Sequence, residues 1–485
     1  MDHKLNSEII SEIDSLINDF KMEGAKKRLD KIDHSTLPEK DRAPFASLAR
    51  RSGNYKLALK ILQPNIYGVG TPKYDDLIEY ASSVRRLGLI NQALILLERA
   101  PDLPKTHLNR AFCYIHYWDY EKAQVELIAF LKSPELSKKQ QLVGKVNLLT
   151  CLVENKEYVR ALNFLDDFEA ECAEESPHLL LNCEETRGQI LFKMGKYEEA
   201  LKVLEAVKVQ THEEQGQASL FIEKWLILTK IALGILLPIS PEVLEFKKQV
   251  RREGFWEVMR DFNWQQARLT NNTTLMRHVF FGTPYNCFRE HILNDANPLV
   301  FEESFNWMDS RSSEETTEIF NFFEVSKIPM AYGKSVHRLL MLLASDFYQP
   351  WSVVRIFNHL FPEELFDPTT SLKKVYRLIE QLQKIINKEN IKLSLESTSN
   401  GYRLRPKPGC VFLINKNMIF KDRESLLAEA LRFYGVTENF KVADAKKVIP
   451  LSQHQWYRAF KSMEDLGLME QSQESQSHFS LKKVS

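Results

Sequence analysis

Across the first half of the chain, large apolar residues recur at intervals of three and four, the spacing that lines one face of an α-helix. Six segments repeat one arrangement: a large residue, an alanine three positions later and a leucine four beyond that. They are Met22/Ala25/Leu29, Tyr55/Ala58/Leu62, Ile90/Ala93/Leu97, Tyr120/Ala123/Leu127, Tyr158/Ala161/Leu165 and Tyr197/Ala200/Leu204. Successive alanines lie 33, 35, 30, 38 and 39 residues apart. A small side chain lets two helices cross closely, and the large residues on either side fill the flanking space. Each such helix follows another amphipathic segment, as in Tyr74–Leu87 and Leu180–Met194. The turns between them are short and polar, for instance Gly53-Asn54 and Gly195-Lys196. The pattern predicts stacked helical hairpins.

The stretch Met194–Val207, MGKYEEALKVLEAV, resembles the second half of the tetratricopeptide repeat consensus. The resemblance covers roughly residues 5 to 237, departs from that family's 34-residue period, and lacks the early aromatic in several first helices. It implies an α-solenoid whose concave face, built mainly by the first helix of each pair, binds a protein or peptide. Polar residues expected on that face are Arg85, Arg86, Asn109, Arg110, Asn147 and Arg187. Arginine and asparagine there suit a peptide backbone or a carboxylate.

Pro238 and Pro241 mark the end of the repeats, because proline cannot continue a helix interior. The apolar stretch Trp225–Ile239 contains Lys230 and is short for a membrane span, so it reads as a buried helix. Residues 238–330 read as a helical connector or an atypical continuation of the solenoid. Helices are expected at Glu242–Phe262, Leu275–Phe281 and Cys287–Leu293, and packed aromatics at Trp256, Trp264, Trp307, Phe320, Phe322 and Phe323. Asp309–Glu318 is a loop or a helix start.

The period changes again after Tyr332. Apolar helices are predicted at Ser335–Ala344 and Ser352–Leu360. A start signal at Asp367–Ser371 leads into a helix over Leu372–Asn387. Ile391, Leu393 and Leu395 then alternate with polar residues, and Tyr402-Arg403-Leu404 returns after the turn Ser399-Asn400-Gly401. Three helices followed by a β-hairpin is the winged helix-turn-helix order. The closing GYRL resembles the OmpR-type winged helix of response regulators, over about residues 332–408. That resemblance implies a third helix in the DNA major groove and a wing in the adjacent minor groove. From Ser371 to Pro408, nine basic residues face three acids, a local patch of the kind phosphate contact requires. Candidate DNA contacts are Lys373, Lys374, Arg377, Gln381, Lys384, Lys388, Arg403 and Arg405. Glu380, Gln381 and Gln383 stand where that family's helix is rich in arginine.

A second such unit follows, with helices at Ser425–Tyr434, Val442–Val448 and Gln455–Leu466, a glycine stop at Gly467, and strands on either side of a polar turn. The phrase PLSQHQWYRAFKSMEDLGLMEQ resembles the recognition helix and wing of small bacterial winged-helix regulators, over about residues 422–484. Gln455 and Arg458 are its candidate DNA contacts, with Trp456 and Phe460 expected in the core. Ten basic residues against nine acids from Lys421 to Ser485 leave this unit nearly neutral, which favours a protein-binding use.

The fold class that follows is mainly α: a solenoid of tetratricopeptide-like hairpins over 1–237, the connector over 238–330, and two small winged-helix (α+β) domains over 331–410 and 411–485. Lys+Arg and Asp+Glu both total 65 in the 485 residues, which excludes a generally basic nucleic-acid coat but not a local patch. Six cysteines without a C-x-x-C pair fit reduced, mostly buried thiols, and the N-terminus carries acids where a signal peptide would be basic and then apolar. A soluble cytoplasmic protein is the expectation. The glycine pair in Gly68–Lys73 lacks the Gly-Lys-Ser/Thr ending of a phosphate loop and reads as an inter-repeat loop. The twelve histidines show no metal-site spacing, and no G-x-S-x-G elbow occurs. No catalytic residue, metal or cofactor is assigned. Two functions follow: a transcriptional regulator that binds a protein or peptide through its solenoid and DNA through its winged helices, or a scaffold whose winged helices bind proteins only. The oligomeric state is left open.

Overall fold

The computed structural model describes residues 3–19, 21–68, 71–175, 177–210, 216–301, 304–308, 318–321, 333–362, 364–368, 370–414, 423–449, 451–472 and 477–482. Val69, Gly70, Phe322, Phe323 and 309–317 of the acidic-polar stretch lie outside them. The chain divides into two compact units, Met1–Val258 with Phe361–Thr370, and Met259–Leu360 with Ser371–Ser485.

In the first unit the repeated residues set the architecture. Six hairpins run α1 His3–Asn18 with α2 Met22–Leu29, α3 Glu39–Arg51 with α4 Tyr55–Tyr67, α5 Tyr74–Arg86 with α6 Ile90–Glu98, α7 Pro104–His116 with α8 Tyr120–Leu131, α9 Lys138–Glu154 with α10 Tyr158–Glu175, and α11 Pro177–Lys193 with α12 Tyr197–Gln210. All six signature alanines and all six leucines four residues later sit at 0% exposure in the second helices. Small residues on first helices contribute to the same close crossings: a Cβ at Gly144 of α9 would lie 2.7 Å from Phe130, and one at Gly188 of α11 would lie 2.5 Å from Leu204.

One turn geometry joins the hairpins. The residue five before five of the six alanines is left-handed, at Gly53, Gly88, Trp118, Lys156 and Gly195, with φ of 84°, 90°, 62°, 64° and 79°. The next amide closes a bond to the carbonyl five residues back, as in Asn54 to Ala49 at 2.8 Å and Lys196 to Leu191 at 2.9 Å. This arrangement stops the first helix by satisfying its last carbonyls. Asn54 and Asp119 then cap the second helix, accepting from the amides of Leu57 and Lys122.

Beyond the hairpins come α13 Gly216–Ala232 and α14 Pro241–Glu253. The expected buried helix over Trp225–Ile239 needs correction. It stops at Ala232, Gly234 turns left-handed (φ 70°), and Ile235, Leu237 and Ile239 are exposed. Pro238 bars any continuation. The single helix expected over Glu242–Phe262 is likewise two, because Gly254 caps α14 in a left-handed conformation (φ 78°).

The second unit takes in most of α15 Trp256–Leu269, then α16 Thr273–Phe281 and α17 Asn286–Asp295. The purely helical reading of 238–330 is corrected here by β1 Phe305–Met308 and β2 Glu318–Asn321. These strands flank β5 Cys410–Ile414, antiparallel on one side and parallel on the other. Trp307 and Phe320 both stand opposite Phe412 across this ladder.

Two clusters of the same topology complete this unit. In the first, α18 Ser335–Leu343, α19 Val353–Leu360 and α20 Ser371–Lys388 precede the hairpin of β3 Leu393–Thr398 and β4 Gly401–Pro406. Trp351, just before α19, bridges Tyr402 of β4 through two main-chain bonds of 2.8 and 2.9 Å. Gly401 is required for that approach, since a Cβ there would fall 2.3 Å from the Trp351 carbonyl oxygen. In the second cluster, α21 Arg423–Phe433, α22 Val442–Val448 and α23 Gln453–Asp465 precede β6 Met469–Gln471 and β7 Phe479–Leu481. Phe440, before α22, bridges Phe479 of β7 in the same way.

A buried charge network holds the start of this unit together. Arg260 (α15), fully buried, donates to the Gly282 carbonyl and Thr283 hydroxyl, both at 2.9 Å, and to Asp346 Oδ1 at 3.0 Å. Asp346 also accepts the amides of Tyr348 and Gln349 at 3.0 Å. The guanidinium lies 4.7 Å from the ring centre of Tyr348 and 5.3 Å from that of Tyr285. Nearby, buried Arg289 donates to the Phe280 carbonyl, and burial pulls its pKa down to about 9.

Candidate functional site

A cavity of about 830 Å³ opens in the first unit where helix ends converge. Its lining comes from the last turns of α1, α3 and α5 (Ile17, Asn18, Arg50, Arg51, Arg86) and the first turns of α2, α4 and α9 (Met22, Tyr55, Lys139). Cations in a final helical turn are favoured by the negative end of the helix dipole, which accounts for Arg50, Arg51 and Arg86 locally. Lys139 sits in a first turn, where the dipole disfavours it, so helix chemistry does not account for it.

The four cations differ in their partners. Arg50 is forked onto Glu79, with Nη2 to Oε2 at 3.2 Å, and Arg51 pairs with Asp14 and reaches Asn18 at 2.9 Å. Arg86 and Lys139 are exposed and have no acidic partner among the described residues. The site therefore presents two unneutralised positive charges beside the Tyr55 ring and the apolar Ile17 and Met22. An anion carried on an apolar stem suits such a lining.

Of the six solenoid residues singled out by sequence, only Arg86 lines this cavity. Arg85 is half-buried over the Phe112 ring at 5.0 Å, and desolvation lowers its pKa to about 10. Asn109 accepts from Ser82 at 2.7 Å and donates to the Lys105 carbonyl. Arg110 pairs with Asp102 at 2.7 Å and donates to the Leu97 carbonyl. Asn147 bonds the Val143 carbonyl of its own helix. Arg187 pairs with Asp166 and Glu169 at 2.8 and 2.6 Å. Lys139, Arg50 and Arg51 were not singled out and Tyr55 was read only as a repeat residue; of the four, only Lys139 carried a site signal, a cation at a helix start.

On α20 the predicted register exposes Lys373, Lys374, Arg377, Gln381, Lys384 and Lys388 on one side, with Val375, Ile379, Leu382 and Ile386 buried on the other. Glu380 lies among the exposed cations. The hairpin arginines are committed internally. Arg403 donates to the Tyr348 carbonyl and Arg405 pairs with Glu396 at 3.1 Å across the strands. On α23, Gln455 is used in a capping box with Ser452, whereas Arg458 is exposed beside Tyr457. Trp456 and Phe460 are buried.

Among the described residues, no group of three or more His, Cys, Asp or Glu side chains is placed to hold a metal ion. No described helix is long and apolar enough to cross a membrane.

No protein-family model matches the chain, and no curated protein matches it. Among solved structures, it is similar to a Rap protein complexed with Competence and Sporulation Factor, at 12% identity and a TM-score of 0.41, over 80% of this chain and 99% of that one. It is also similar to the apo form of RapI, at 10% identity and a TM-score of 0.38, over 79% of this chain and 99% of that one.

Proposed function

We propose that this chain is a non-catalytic recognition protein whose helical hairpins bind a protein segment bearing a carboxylate, either an acidic side chain or a chain terminus. The observation that carries the reading is the pair Arg86 and Lys139 in the cavity, exposed and without an acidic partner among the described residues. Arg50, Arg51 and Tyr55 would frame the anion, and Ile17 and Met22 its apolar stem.

The test is binding of the full chain to an array of matched acidic and neutral peptides, repeated with Arg86→Glu/Lys139→Glu. Charge reversal at two exposed positions leaves the melting temperature within a few degrees, since surface substitutions stay within about 0.5 kcal/mol each. Capture of acidic peptides should weaken at least about tenfold, equivalent to about 1.4 kcal/mol. Equal capture of acidic and neutral peptides, or capture untouched by the double reversal, refutes the reading.

The exposed cations of α20 support a second function, contact of the first helix-and-hairpin cluster with nucleic-acid phosphate. In this reading the cluster is a winged helix, with Lys373, Lys374, Arg377, Lys384 and Lys388 as its phosphate contacts. Lys373→Ala/Lys374→Ala/Arg377→Ala in the full chain should then flatten the salt dependence of duplex DNA binding, by about 0.9 in log–log slope per lost contact. DNA binding with an unchanged slope, or none at low salt by the unaltered chain, rejects it. The second outcome leaves both clusters as protein-binding modules.

A further inference from the structure

A second site lies elsewhere on the hairpins and does not depend on the basic cavity. Gln92, on α6 immediately before the signature Ala93, is 4% exposed and is the one buried carboxamide among the described residues of the first unit. At the same place in other hairpins, Lys122, Arg160 and Glu199 are exposed. Gln92 is buried because the segment Glu364–Asp367, which belongs to this unit, lies over it.

The contact is directed at main chain. Gln92 Nε2 donates to the Glu364 carbonyl at 2.7 Å, and its Oε1 accepts the Phe366 amide at 3.2 Å. Accepting from residue i+2 while donating to residue i is what one residue of a parallel β-ladder does for its neighbour. The carboxamide thus holds an extended strand as a sheet edge would. Alternate side chains diverge accordingly: Leu365 is 53% exposed and Phe366 is 2% exposed. Asp367 follows the aromatic, and its Oδ2 accepts from Gln63 Nε2 of α4 at 3.2 Å. The amide pair therefore reads backbone extension, the burial of Phe366 reads an aromatic, and Gln63 reads the acid after it.

We propose that Gln63 and Gln92 form a recognition site for an extended peptide carrying an aromatic residue followed by an aspartate, and that Glu364–Asp367 occupies it in cis. A partner protein presenting the same aromatic–acid pair in an extended segment displaces the internal strand. The fit depends on main-chain bonds and two side chains, so it is transferable between chains. Two exposed side chains, Glu364 and Leu365, leave the strand open to solvent along one edge. Phe366 is the one fully buried side chain of Glu364–Asp367, so the strand opens at lower cost than a core helix.

The test uses the full chain and a fluorescein-labelled peptide, Pro-Glu-Glu-Leu-Phe-Asp-Pro, copied from Pro362–Pro368. In the unaltered chain, the tethered strand competes at an effective concentration of roughly millimolar, so labelled peptide binds weakly. Phe366→Ala/Asp367→Ala weakens the internal occupant, and the peptide should then bind about tenfold or more tightly. Adding Gln92→Leu to that variant should abolish the gain, and a peptide with Ala for Phe should not bind. Equal affinity for the unaltered and Phe366→Ala/Asp367→Ala chains overturns the proposal. Should that variant fail to fold, hydrogen exchange on the unaltered chain with millimolar unlabelled peptide decides. A faster Phe366 amide supports displacement, and an unchanged one refutes it. Arg86 and Lys139 are intact throughout, so the outcome is independent of the cavity.

Discussion

Gly188→Ala offers a direct test of the packing logic of the hairpins. An exposed glycine-to-alanine change inside a helix stabilises by roughly 0.5–1 kcal/mol, because alanine loses less backbone entropy. Here the new Cβ would lie 2.5 Å from both Cγ and Cδ2 of Leu204. Cγ moves only if χ1 turns, and Leu204 is fully buried, so clearing the methyl would drive its side chain into other packed atoms. Overpacking of this kind costs about 1–3 kcal/mol. The clash outweighs the propensity gain, giving a net loss of about 1 kcal/mol. In a Leu204→Ala background, itself weaker by about 2–5 kcal/mol, both clashing atoms are gone. The same glycine change should then stabilise by roughly 0.5–1 kcal/mol. The expected coupling is about 2 kcal/mol, read from a four-member urea-unfolding cycle with constant slope across the set. A glycine effect of the same sign and size in both backgrounds would refute the close-crossing argument.

Three further outcomes follow from particular residues. Asp346→Ala strands the buried guanidinium of Arg260 and removes the carboxylate 3.7 Å from buried Arg355; it should cost about 3–5 kcal/mol, with only the Arg260 share recovered by Arg260→Met/Asp346→Ala, as thermal melts would show. Burial lifts Glu185 from 4.5 to about 7 against the opposing pull of Lys224 and Trp225, with Glu154 and Lys193 also nearby. The folded chain therefore holds this proton where the unfolded chain has released it, so stability falls as pH rises from 4.5 to about 7. The slope reaches at most about 1.4 kcal/mol per pH unit, and Glu185→Gln should flatten it in denaturant titrations at stepped pH. Lys156→Gly, at a left-handed turn position, should raise stability by a few tenths of a kcal/mol while Gly195→Ala lowers it by about 1 kcal/mol; a matching sign for both would sink the turn assignment.

Much of the helical half was legible because its signal is periodic and repeated. Ala58 and Leu62 are constrained by the same crossing as Ala200 and Leu204, so six copies of one pattern reinforce each other. The turns were legible where glycine marks them, at Gly53 and Gly195, and hidden where Trp118 and Lys156 adopt the same left-handed geometry without a compositional cue. Strands β1 and β2 were missed because each is four residues long and pairs with β5, about ninety residues or more away. Nothing local in Phe305–Met308 distinguishes an edge strand from an aromatic-rich loop. The bridges at Trp351 and Phe440 are single residues with no period at all, although both occupy the same place in their clusters.

The site residues divide along the same physical line. A cation on a solvent-facing helix is equally compatible with a ligand and with an ion pair to the next helix, and spacing does not separate them. Arg110 and Arg187 turned out to have carboxylates within 2.8 Å, while Arg86 has none described. What distinguishes them is the chain packed beside each cation: Asp102 sits in the loop 8 positions before Arg110, and Asp166 and Glu169 sit on α10, 21 and 18 positions before Arg187. Gln92 is the sharper case. As a polar residue beside a signature alanine, it matches Lys122, Arg160 and Glu199 in sequence, and all of these would be solvated on the pattern alone. Its burial comes from a segment more than 270 positions downstream. That distance makes the amide informative: packing within the hairpin did not require it, whereas an extended strand does.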